Sequence, residues 1–106
     1  MQLDTVQDAF AAAGIVYDWM VDQSDAKRLS IVSGYVSHTN PNFRRDNDWR
    51  TGTITFAVNY PEDDEDKDRA MWLNLFAPPG AQFTYEDDFV LAVVDVDTVL
   101  TSKEWE

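Results

Sequence analysis

Cysteine is absent from this 106-residue chain, histidine occurs once, and glycine and proline occur four times each. Without thiols there is neither a disulfide frame nor a thiolate metal site, which fits a reducing compartment and makes a cytoplasmic location the default expectation. A single imidazole, His38, rules out the usual zinc sites, which take four ligands from Cys, His and carboxylates. No window approaches eighteen consecutive apolar residues, and Asp4 and Asp8 stand where a secretory signal carries Lys or Arg. Neither a membrane span nor a targeting segment is therefore expected.

Positive charge is also scarce. Eight Lys and Arg face twenty Asp and Glu, a formal net charge of −12. The excess is uneven, since residues 1–53 hold seven acids and five bases while residues 54–106 hold thirteen acids and three bases. Such a field repels phosphate backbones and anionic membranes and attracts basic surfaces over about one Debye length, ~8 Å. What the chain does have is apolar content of 44%, with fourteen Phe, Trp and Tyr, enough for a core in one compact domain spanning residues 1–106.

Periodicity divides that domain into elements. Leu3, Val6 and Phe10 recur at helical spacing, the run from Asp4 to Ala13 is rich in helix formers, and Gly14 reads as its C-cap. From Ile15 to Asp22 the period changes to two, so residues 15–22 and 28–37 read as a hairpin of strands. Thr53 to Tyr60 shows the cleanest strand alternation, and Met71 to Phe76 alternates before the Pro78-Pro79-Gly80 turn. Phe83 to Asp88 reads as an approach loop, and the unbroken apolar run Phe89 to Val94 as a central strand. Val96, Val99 and Leu100 either extend that strand or begin a short terminal turn. The fold expected is α+β: an N-terminal helix packed on a mainly antiparallel, curved sheet of about five strands.

Catalytic and metal chemistry find little to work with. Ser37 and His38 are neighbours and would point to opposite faces of a strand, and no Gly-x-Ser-x-Gly turn is present. Asp64, Asp66 and Asp68 have the first spacings of a calcium loop, but its sixth position is Arg69 instead of Gly and its twelfth is Leu75 instead of Glu. Asp95 and Asp97 would share one strand face as a carboxylate pair, with no phosphate-binding loop beside them. The expectation is a protein without enzymatic activity, cofactor or metal.

Binding is the better expectation. Glu62, Asp63, Asp64, Glu65, Asp66 and Asp68 place six carboxylates in seven positions, too many to bury, and Glu86, Asp87 and Asp88, with Asp95, Asp97, Glu104 and Glu106, form a second group. Carboxylates spread over a rigid sheet can approach the charge density of duplex DNA, about one phosphate per 1.7 Å of axis. The leading expectation is an acidic inhibitor or decoy that occupies the basic surface of a nucleic-acid-handling protein, by class analogy with phage counter-defence and nuclease immunity proteins. Direct binding of nucleic acid or membrane is not expected. Two alternatives stand beside it. One is a structural or assembly subunit, down to a homodimer, packing through edge strands and exposed Trp49, Trp72 or Trp105. The other is a single-strand binder using Arg44, Arg45, Trp49 and Arg50, whose cations alternate with aromatics although Asp46 and Asp48 lie among them.

Overall fold

The computed structural model describes residues 6–23, 30–39, 52–59, 66–86 and 89–105. In chain order the elements are α1 (Val6–Asp22), β1 (Ser30–Thr39), β2 (Thr53–Asn59), α2 (Asp66–Phe76), β3 (Ala81–Glu86), β4 (Phe89–Asp95), α3 (Val96–Thr101) and a closing 3-10 turn (Lys103–Trp105). The four strands form one antiparallel sheet of order β1-β2-β4-β3, so the fold is α+β with β2 and β4 inside and β1 and β3 at the edges. Among the described residues, no helix is long and apolar enough to cross a membrane.

One face of the sheet carries the core. Ile54, Phe56 and Val58 of β2 stand opposite Val94, Ala92 and Val90 of β4, and Phe83 of β3 stands opposite Ala92. All seven are buried in one cluster with Ala9, Ala12, Val16 and Met20 of α1 and with Ala70 and Leu73 of α2. Both long helices therefore lie on the same side of the sheet. Each fully buried Val, Ile, Leu, Met or Phe contributes roughly 1.5–3 kcal/mol, so this cluster outweighs local preferences in the segments that line it. On the opposite face, the pair Ala57 and Leu91 is also buried, outside that cluster. The unbroken apolar run of β4 thus belongs, as its sequence suggests, to an interior strand with buried residues on both faces.

Among the described residues there are four strands against the five expected, for definite reasons. Residues 15–22 are not a strand. They continue α1 through Gly14, which lies mid-helix, so the expected hairpin with residues 28–37 does not form. The buried residues Ala9, Ala12, Val16 and Met20 follow helical spacing without a break, and exposed Asp18 and Asp22 are four apart, a step that fits period two and a helix turn equally well. Met71–Phe76 is likewise helical, in α2, where Ala70 and Leu73 go inward and Pro78 follows the end. Ala81–Glu86 is the strand β3 instead of an approach loop, with Phe83 buried between exposed Gln82 and Thr84.

The second expected strand does form, as β1 at residues 30–39. It pairs with β2 across a register shift between Ile31 and Val36. The chain after β4 becomes α3. Asp95 Oδ1 accepts from Thr98 N–H at 3.2 Å as N-cap, while the Asp95 N–H donates to Gly80 O at 2.7 Å.

Candidate functional site

Helical continuation of α1 past Gly14 decides where its acids go. Asp18 and Asp22 share a helix face, and that face meets the closing 3-10 turn, so Ile15, Asp18, Trp19, Asp22, Glu104 and Trp105 line a cleft of about 340 Å³. Its walls are held firmly. Trp19 stacks on Phe83 with ring centroids 5.9 Å apart at 24°, and Trp105 meets Trp19 edge-on at 5.7 Å and 79°. Trp105 Nε1 donates to Pro79 O at 2.8 Å, which fixes the indole and ties the tail back to the α2–β3 connection. Two tryptophans and three exposed carboxylates thus surround one concavity. Aromatic faces and carboxylates are the groups that take a Lys or Arg side chain, the rings supplying cation–π attraction and the acids charge.

The second feature is the outer side of α2. Its inward residues Ala70 and Leu73 leave Met71, Trp72, Leu75 and Phe76 facing outward, with Leu75 78% exposed and Phe76 60%. Trp72 and Phe76 touch, ring centroids 5.0 Å apart at 49°, and the Arg69 guanidinium lies 6.0 Å from the Trp72 ring centroid. A contiguous exposed apolar group of this kind is a candidate interaction surface. Half-exposed Tyr85 lies two residues along from Phe83 on the sheet face against which α2 packs.

Of the residues singled out in the sequence, Asp66 and Asp68 fall in the first turn of α2, and Glu86 ends β3 opposite Phe89. Glu62, Asp63, Asp64, Glu65, Asp87 and Asp88 lie outside the described residues, as do Arg44, Arg45, Trp49 and Arg50. His38 lies on β1 opposite Ile54. Asp66 and Asp68 are helical, which does not suit a calcium loop. Asp95 and Asp97 do not share a strand face, because Asp95 caps α3 and Asp97 lies in its first turn. Among the described residues, no group of three or more His, Asp or Glu is placed to hold a metal ion. Trp72 is exposed as expected, whereas Trp105 is partly buried, bonded to Pro79 O and packed on Trp19, so it walls a cleft instead of standing free on the surface.

The Trp19–Trp105 cleft was not legible from charge blocks, because it joins acids of the mildly charged first half to Glu104 near the end. Its signal was the four-residue spacing of Asp18 and Asp22, which a helical reading of residues 15–22 would have placed on one face.

Two other concavities are less suited to charge. An apolar pocket of about 240 Å³ lies between α1 and the sheet, lined by Phe10, Ala13, Tyr17, Ile31 and Phe56 among others. A cleft of about 510 Å³ at Pro78–Gln82 has Asp95 as its one carboxylate, already engaged by Thr98. No protein-family model matches the chain, and no curated protein or solved structure matches it either.

Proposed function

We propose that this chain acts by binding and not by catalysis, as a small acidic inhibitor or decoy that occupies the basic surface of a nucleic-acid-handling protein. One observation carries the reading: Asp18, Asp22 and Glu104 converge on a cleft walled by Trp19 and Trp105. That chemistry suits a protruding Lys or Arg. The chain-wide charge of −12 supports the same partner class, because it speeds approach of a cationic surface and opposes that of nucleic acid or an anionic membrane. The acidic run of the sequence at positions 62–68 adds to that charge, and its last members, Asp66 and Asp68, fall in the first turn of α2. Occupying a groove that otherwise holds phosphates is what makes such a molecule a decoy.

The test begins with affinity capture on the full chain from the native host, eluting at raised salt. Binding to the isolated partner is then measured at several ionic strengths, with and without competing duplex DNA. Affinity should fall steeply with salt, duplex DNA should compete, and the triple variant Asp18→Asn, Asp22→Asn, Glu104→Gln should bind at least about tenfold more weakly. An affinity indifferent to salt removes the electrostatic basis. A partner from which DNA cannot displace the chain removes the decoy and leaves only a cationic protein partner.

A further inference from the structure

We infer that the outer face of α2 seats an amphipathic, Lys- or Arg-flanked helix of the partner protein. This rests on the reading that the partner is cationic, and it adds where apolar contact is made and by what kind of element. The first argument is shape. Met71 and Leu75 form one i, i+4 row on α2, Trp72 and Phe76 form the adjacent one, and the groove between two such rows accepts the side-chain ridge of another helix. The aromatic row is held in register by the Trp72–Phe76 ring contact, so the groove has a preformed wall.

The second argument is charge. The run Glu62 to Asp68, with six carboxylates in seven positions, leads directly into this helix. A helix lying along α2 therefore meets apolar rows at residues 71–76 and the positions of Asp66 and Asp68 in the first turn, which an amphipathic basic helix complements. A second copy of this chain does not, since two molecules of charge −12 would have to bring these surfaces together. Strand addition at the neighbouring edge of β3 is also opposed, because Asn74 of α2 already occupies both backbone groups of Phe83.

Two synthetic probes of equal charge test this on the full-length protein: an amphipathic helical peptide of Leu and Lys, and an oligolysine. Wild type should bind the amphipathic peptide about tenfold more tightly than the oligolysine at the same salt. The double variant Met71→Ser, Leu75→Ser should lose that advantage while binding oligolysine as before. Both residues are mostly exposed and outside the core, and circular dichroism with a thermal melt verifies the fold. A blue shift in tryptophan emission on adding the amphipathic peptide, missing in Trp72→Phe, would place contact at α2. Equal affinity for the two probes, or an advantage that survives in the double variant, overturns the inference and leaves the cationic-partner reading intact. Failure of both probes to bind at low salt overturns that reading as well. A micromolar dimer abolished by the double variant would assign the face to a second copy instead.

Discussion

The side-chain amide of Asn74 closes the outer edge of β3 at Phe83: its Nδ2 donates to the Phe83 carbonyl at 2.7 Å, and the Phe83 N–H donates to its Oδ1 at 2.8 Å. β3 is an edge strand, so these two groups point away from β4 and would otherwise be open to another strand. One residue of α2 thereby reproduces half of a strand pairing and fixes the helix beside the sheet. Asn74→Leu should cost about 1–3 kcal/mol of stability in urea denaturation and speed hydrogen exchange at the Phe83 amide. Asn74→Asp keeps the acceptor but sets a carboxylate against the Phe83 carbonyl, so it should restore amide protection without restoring stability. Unchanged exchange at Phe83 in the Leu variant would show that the amide does not close this edge.

Gly14 and Gly80 should respond to alanine with opposite signs. Gly14 lies inside α1 with nothing within 4 Å of where a Cβ would stand, so Gly14→Ala should stabilise by about 0.5–1 kcal/mol through helix preference and a less flexible unfolded chain. Gly80 has φ +108°, and a Cβ there would lie 2.8 Å from Val99 Cγ2. Gly80→Ala should therefore cost about 2–4 kcal/mol, combining backbone strain with a clash against α3. Thermal melts of the two variants check the pair, and equal shifts would contradict this account of the Gly80 turn.

The parts of the fold legible in the sequence were those where one physical signal acts alone. Ile54, Phe56 and Val58 alternate because one side of β2 faces the core, and residues 89–94 lack alternation because β4 buries residues on both faces. The α+β class followed from these strands and the amino-terminal helix. Where two signals compete, local reading failed. Gly14 looks like a helix stop, yet Ala12, Val16 and Met20 continue the buried stripe across it, and their burial exceeds the ~1 kcal/mol cost of an interior glycine. In α2 the misleading residues were Leu75 and Phe76. Apolar side chains that a helix leaves outside give the wrong pattern, and a surface kept for a partner has that appearance. The cleft between Trp19 and Trp105 depends on contact between residues 86 positions apart, which no local pattern records.

Trp105 separates hydrogen bonding from ring packing. Trp105→Phe removes the 2.8 Å bond to Pro79 O but keeps an aromatic ring against Trp19, and should cost about 0.5–1.5 kcal/mol. Trp105→Ala removes both and opens one wall of the cleft, so it should cost more and weaken binding of a cationic partner, whereas the Phe variant retains most of it. If the Ala variant binds as wild type does, the indole wall takes no part in recognition and the carboxylates act alone.

Asp22 bears on whether the acids serve binding or solubility. It lies in the last turn of α1, where the helix dipole disfavours negative charge and no basic residue offsets it, and it is four residues from Asp18, where like charges repel. Asp22→Asn should therefore stabilise the fold by about 0.3–1 kcal/mol, measured by chemical denaturation. A carboxylate kept at a cost in stability points to selection for something else, in the manner of functional sites. If that is contact with a cationic partner, the same substitution should raise the midpoint of unfolding and lower affinity, two effects of opposite sign from one removed charge. A gain in stability with affinity unchanged would exclude Asp22 from recognition and move the cleft's role onto Asp18 and Glu104.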